Sequence, residues 1–347
     1  MTQAVDDGSS PRAGRVDAGP DAGSGGTPER SRRDRGVLLV LVVVALAALF
    51  RPLLESLLDR PAVGQWATIF VALVVQAMPF LVLGVTVSAA IAAFVPSDLL
   101  PRLLPKRDVA AVPLAAVAGV ALPGCECGSV PIARRLVTRG VAPAAAFAFL
   151  LSAPAINPVV LVSTAVAFPG RPEVVAARFL ASLAAAVVVG LVWSRKGDDR
   201  LLERVRRTGA EEGGPRLRVL MATAQHDLLS AGGFLVIGAA AAATLQTAVP
   251  RGVLDGVAGT GLVAIVALGL LAVVMAICSE ADAFVAASLT QFSLTARLAF
   301  MVVGPMVDVK LIALQVGTFG RGFSQRFAPL TFVVAVASAA LVGWWLL

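Results

Sequence analysis

Two cysteines flank a glutamate in the stretch ALPGCECGSVP, residues 121–131, inside an otherwise apolar run. Cys125, Glu126 and Cys127 at that spacing could hold a thiophilic ion, work as a redox pair, or simply pack. A second stretch, ICSEADAF (277–284), carries Cys278, the remaining one of the three cysteines, with Glu280 and Asp282 close behind. Two further apolar runs hold polar groups: SAPAINP (152–158) with Asn157, and GPMVDVK (304–310) with Asp308 and Lys310. Soft thiolates select soft, thiophilic species, and thiolate together with carboxylate suits zinc. Cys125, Cys127 and Cys278 are therefore the candidate metal ligands. With Glu126, Asn157, Glu280, Asp282, Asp308 and Lys310 they form the candidate substrate site. A Cys125–Cys127 disulfide would close a very tight, strained ring. Packing remains the alternative, since free Cys is among the most buried residue types, but packing does not explain why all three lie on two short tips.

Those tips need elements to carry them. The chain has 347 residues, 58% hydrophobic and 15% charged, where a soluble domain has about 25% charged residues. The charges are segregated into 1–36, 96–108, 134–139 and 195–227. The apolar blocks between them are long enough to cross a bilayer, which takes about 20 residues as a helix. The expected class is an all-α polytopic membrane protein with about eight transmembrane spans. They fall near 37–58, 66–95, 141–167, 171–193, 228–249, 296–318 and 327–347, with 109–124 and 259–278 to be placed.

Residues 1–36 have almost nothing to bury and read as a disordered cytoplasmic tail. Arg30, Arg32, Arg33 and Arg35 hold the N-terminus in the cytoplasm. The run 37–58 reads as an extra N-terminal transmembrane helix that anchors rather than a cleaved signal. The net charge of +7 does not point to nucleic acid, because no basic stretch has interleaved stacking aromatics.

If 109–124 were an ordinary span, the basic linker 194–227 would lie outside, against the positive-inside rule. A re-entrant hairpin that turns at LPGCECGSVP and returns through PIARRLVTRG removes the conflict. Irregular backbone at membrane depth requires burial in protein or a watery cavity. Pro123, Gly124, Gly128 and Pro131 supply the break at this tip. Pro154, Pro158, Gly304 and Pro305 supply it in the two broken spans.

One ungapped offset pairs Cys127 with Cys278, Phe149 with Phe300, Pro154 with Pro305, Asn157 with Asp308, Phe168 with Phe319, and Trp193 with Trp344. At a nearby offset, PFLVLG (79–84) answers GFLVIG (233–238). Two permease-like repeats follow, 66–193 and 228–347, each with a re-entrant hairpin and a Pro-broken helix. Three crossings per repeat is odd, so the copies should be inverted. Inverted repeats around a midplane site are secondary-transporter architecture.

His226, beside Asp227, reads as an interfacial residue at a cytoplasmic helix start, and Gln76 as a partner for backbone freed by Pro79. No catalytic triad, Walker motif or Rossmann fingerprint appears. The expectation is a transporter rather than an enzyme, with no cofactor. Its energy would come from a coupling ion or a partner protein.

LPGCECGSVPIARRL, AFLLSAPAINPVVLVST, CSEADAFVAASL and MVVGPMVDVKLIAL resemble the predicted permeases of the ArsP type, from about residue 66 to 347. The resemblance implies a multi-pass plasma-membrane permease. Some members export trivalent organoarsenicals such as methylarsenite through cysteine coordination, which Cys125 and Cys127 would provide here. Glu126 stands where those exporters carry a small residue such as serine, which leaves a divalent zinc-like cation open as the cargo. A membrane thiol-redox component, or a subunit of a larger transport complex, is the reading from a different class.

Overall fold

The computed structural model describes residues 61–96, 107–121, 124–197, 215–248 and 261–347, with a few single positions between them. The tail 1–36, the helix expected at 37–58, and Pro123 lie outside the described residues. Every regular element among the described residues is helical.

The first seven helices are α1 (Pro61–Phe94), α2 (Asp108–Ala118), α3 (Glu126–Thr138), α4 (Pro143–Ile156), α5 (Pro158–Ala167), α6 (Pro172–Lys196) and α7 (Arg216–Ala248). Then come α8 (Gly261–Met275), α9 (Asp282–Ser288), α10 (Leu294–Val303), α11 (Val309–Phe319) and α12 (Arg321–Leu346). The order is long helix, short pair, broken helix, long helix, and it runs twice. Five helical segments are long and apolar enough to cross a membrane: α1, α4 with α5, α6, α7 and α12. The shorter apolar helices α2, α8, α10 and α11 complete a multi-pass bundle.

Proline starts α4, α5 and α6, where its missing N–H costs nothing and its fixed φ is already helical. The long helices are apolar all round because lipid takes one face and protein the other. On α1, Val71, Val75 and Val82 are exposed while Leu73, Ala77 and Leu81 are buried.

Helix α7 begins at Arg216, well before the span expected from 228. His226 is therefore in mid-helix and not at a helix start. Charge at 216 and 218 marks a polar boundary, but Arg, Leu and Met are good helix formers and do not end a helix.

Helices α1 and α7 pack along each other, and so do α6 and α12. Further contacts cross between the halves where α3 packs on α11 and α9 on α5. Two glycines permit the close approaches. A Cβ on Gly84 would lie 2.3 Å from the Gly128 carbonyl oxygen, so α1 and α3 meet backbone to backbone. A Cβ on Gly238 would lie 2.8 Å from the Cα of Lys310, so α7 presses equally on α11. These are the last residues of the matching PFLVLG and GFLVIG stretches.

The core of the α4–α6–α12 side is aromatic. Phe147 meets Trp193, Phe319, Phe323 and Phe327 with ring centroids 4.8–5.5 Å apart. The paired positions do not all share a fate. Phe149 and Phe300 are both buried, but Trp193 is buried where Trp344 is 87% exposed.

Candidate functional site

Both broken helices restart on a buried N-cap. Asn157 Oδ1 accepts from Val160 N at 3.0 Å, and Asp308 Oδ1 accepts from Leu311 N at 2.6 Å. Such caps satisfy backbone donors that the break leaves without partners. The Asn157 amide donates to the carbonyls of Gly124 and Ala153, each at 3.1 Å. Its polar atoms are thus engaged by backbone, and it ties the first tip to the broken helix.

Glu126 opens α3 and Lys310 lies in the first turn of α11, both fully buried. Lys310 Nζ donates to Glu126 Oε1 at 3.0 Å, stands 3.8 Å from Asp308 Oδ2, and is 3.9 Å from Cys278 Sγ. The Lys310–Asp308 proximity fits their spacing in sequence, but the shorter contact goes to Glu126, across the halves. Ligand atoms of Cys125, Glu126 and Cys127 all lie within 4.8 Å of one another. Cys278 Sγ joins this group through Lys310 Nζ, which stands between it and Glu126 in reach of both. Three reduced, fully buried thiols and a carboxylate therefore meet at one place. Glu126 Oε2 and Asp308 Oδ2 have no hydrogen-bond partner there.

The second tip turns the other way. Asp282 starts α9, and its Oδ2 accepts from Arg178 Nη2 of α6 at 2.8 Å. The same guanidinium donates to Thr164 Oγ1 at 2.8 Å and to the Ser279 carbonyl at 3.2 Å. Arg178 is fully buried. Glu280, one residue along, has neither carboxylate oxygen hydrogen-bonded. Asp282 thus belongs to the Arg178 side of the turn, while Cys278 faces Lys310 and Glu280 lies between them in sequence.

Of the hinge residues, Gly124 and Gly304–Pro305 lie in breaks between helices, and Pro158 begins α5. Gly128 and Pro131 fall inside α3, and Pro154 inside α4. Arg178 escaped the sequence reading. Its signal is a lone cation within the apolar run AARFLASLAAAVVVG, where a buried charge needs a partner. Asp227 was likewise passed over. It accepts from Arg134 at 2.6 Å and Ser88 at 3.1 Å, with Arg135 3.6 Å away, at the far end of α3. A cavity of about 270 Å³ beside it is lined by Arg134, His226, Asp227 and Phe319.

Comparison with known proteins agrees with the sequence motifs. A family model described as "Predicted permease", of the ArsP type, matches residues 62–344. The chain is 37% identical over 284 residues to the "UPF0718 protein YcgR" of Bacillus subtilis (strain 168), covering 80% of this chain and 97% of that protein. It is 29% identical over 289 residues to a Streptococcus mutans protein named "Putative two-component membrane permease complex subunit", covering 81% and 96%. No solved structure matches.

Proposed function

The chain belongs to the ArsP-type predicted permease family, and on that premise we propose that it moves a thiophilic metal or metalloid species across the plasma membrane. The observation that carries this reading is the grouping of Cys125, Cys127 and the Glu126 carboxylate, with Cys278, from a tip far away in sequence, brought to the same Lys310. Thiols are the donors that thiophilic ions prefer. Chains that need cysteine only as a small apolar residue have no reason to place every copy on two breaks that meet.

In this reading the doubled element order is a pair of inverted repeats, the N-terminus is cytoplasmic, and transport is outward. The fully buried thiols favour transport over thiol exchange, which needs an accessible thiolate. A trivalent organoarsenical such as methylarsenite is the cargo that the family suggests; a zinc-like divalent cation is the cargo that Glu126 suggests. The name of the Streptococcus mutans relative favours a second membrane protein as a partner.

The test is binding by purified protein in detergent, titrating zinc and a trivalent methylarsenical separately. The double variant Cys125→Ser/Cys127→Ser should lose binding of the true cargo by a hundredfold or more while staying folded. Equal binding by wild type and variant would sink the thiol site.

A further inference from the structure

The contacts of Lys310 select between those two cargoes. We infer that Lys310 is a built-in substitute cation: it occupies the cargo's carboxylate when the site is empty and moves to Asp308 when a divalent cation arrives. This rests on the thiol site proposed above and names the charge of what that site takes.

Three observations carry it. First, the ammonium sits on Glu126 at 3.0 Å and beside Cys278 at 3.9 Å, so it occupies the position a cation would share with the thiols. Second, a vacant berth exists. Asp308 Oδ2 has no hydrogen-bond partner and is 3.8 Å from the ammonium, while Asp308 Oδ1 is tied down by the Leu311 cap at 2.6 Å. The carboxylate is fixed, so the lysine must make the move. Third, only its side chain is free to do so. The close approach of Gly238 to the Lys310 Cα pins the backbone, and the flexible four-carbon stem carries a compact charge that is not bound to one geometry.

The direction of displacement follows from charge. At equal distance a divalent cation gains twice the Coulomb energy of an ammonium on the same carboxylate. The loser keeps a buried anion, Asp308, within a short swing. Neither state then strands a cation or a carboxylate in the apolar interior, where an uncompensated charge is strongly destabilising. A neutral arsenical offers no force to move Lys310 off Glu126 and gains nothing from the berth. On leaving, the cation is replaced by the ammonium, so the empty carrier can reset.

The experiment is zinc titration of the full-length protein in detergent, on wild type, Lys310→Gln, Asp308→Asn and the Cys125→Ser/Cys127→Ser pair. Lys310→Gln removes the competitor and should tighten zinc about tenfold or more. Asp308→Asn removes the berth and should weaken it by a similar factor, within the usual range for coupled sites. Asparagine still caps the helix, as Asn157 does in the first half. Lys310→Gln leaves two buried carboxylates and can fail to fold. Lys310→Gln/Asp308→Asn, which removes one charge of each sign, serves in that case and should also bind zinc more tightly than wild type.

Opposite signs for the two single variants together with a double variant tighter than wild type are the signature, because loss of a merely structural ion pair would weaken both singles and fixed charges would cancel in the double. If both weaken, or neither changes, while the cysteine pair still abolishes binding, the thiol site stands and the exchange is overturned. If zinc binding ignores the cysteines, the thiol site falls and the exchange with it.

Discussion

At the first tip a lysine faces two carboxylates and a thiol; at the second an arginine faces one carboxylate, a carbonyl and a hydroxyl. Lys310 uses one of its three donors on Glu126 and stands within reach of Asp308 and Cys278. Arg178 spreads its fork over Asp282, Ser279 and Thr164, so α6, α9 and α5 are clamped by a single side chain. A guanidinium presents rigid, planar donors that fit several acceptors at once, while an ammonium is a mobile point charge. The two tips therefore carry buried cations of different use. One can change partners. The other holds two halves of the molecule together.

The sharpest way to break that comparison is Arg178→Met. It leaves Asp282 buried without its partner, a kind of loss that costs about 3–5 kcal/mol. We expect a large drop in the thermal unfolding midpoint of the detergent-solubilised protein. Arg178→Met/Asp282→Leu should recover most of it, because removing both charges is often neutral or stabilising. If Arg178→Met unfolds like wild type but no longer binds cargo, the second tip is a working site and not a clamp.

Much of this was legible in sequence, and what was missed has a physical cause in each case. Tip positions follow from Pro and Gly in apolar runs, and the equivalence of Asn157 and Asp308 from a fixed offset; both prove to be N-caps of restarted helices. The partner of Lys310 was not legible, since Glu126 is 184 residues away and only the crossing of α3 with α11 brings them together. Asp308 is the acidic residue nearest to Lys310 in sequence, yet the shorter contact goes to Glu126. Arg178 is hidden because a span is recognised by average hydropathy, in which one charge disappears; Asp227 counts with the charged linker, and its partners Ser88, Arg134 and Arg135 are remote in sequence. Inside a membrane that single charge is the informative residue.

A second test concerns the scaffold that holds the first tip in reach. Gly84→Ala would push a methyl to 2.3 Å from the Gly128 carbonyl oxygen, and backbone must move to admit it. Overpacking of this kind costs about 1–3 kcal/mol, and here it would also tilt α3 and carry Glu126 away from Lys310. We expect a lower unfolding midpoint together with weaker cargo binding. Gly124→Ala is the control within the tip itself: a Cβ there meets nothing within 4 Å, so stability should stay near wild type.

The smallest effect is expected at Glu280, and it defines where the two regions meet. Glu280 lies between Cys278, which faces Lys310, and Asp282, which is held by Arg178. Both of its carboxylate oxygens are buried without a hydrogen-bond partner, so Glu280→Gln breaks no bond and removes a buried negative charge. Stability should hold or rise slightly, because a buried carboxylate without a hydrogen-bond partner is itself a cost. Zinc affinity should move less than threefold if cargo is held by the thiols and Glu126 alone. A tenfold loss on Glu280→Gln, with the unfolding midpoint unchanged, would extend the cargo site across the turn toward Arg178. The clamp would then begin at Asp282, and Glu280 would be a ligand that the cargo reaches only by passing the thiols.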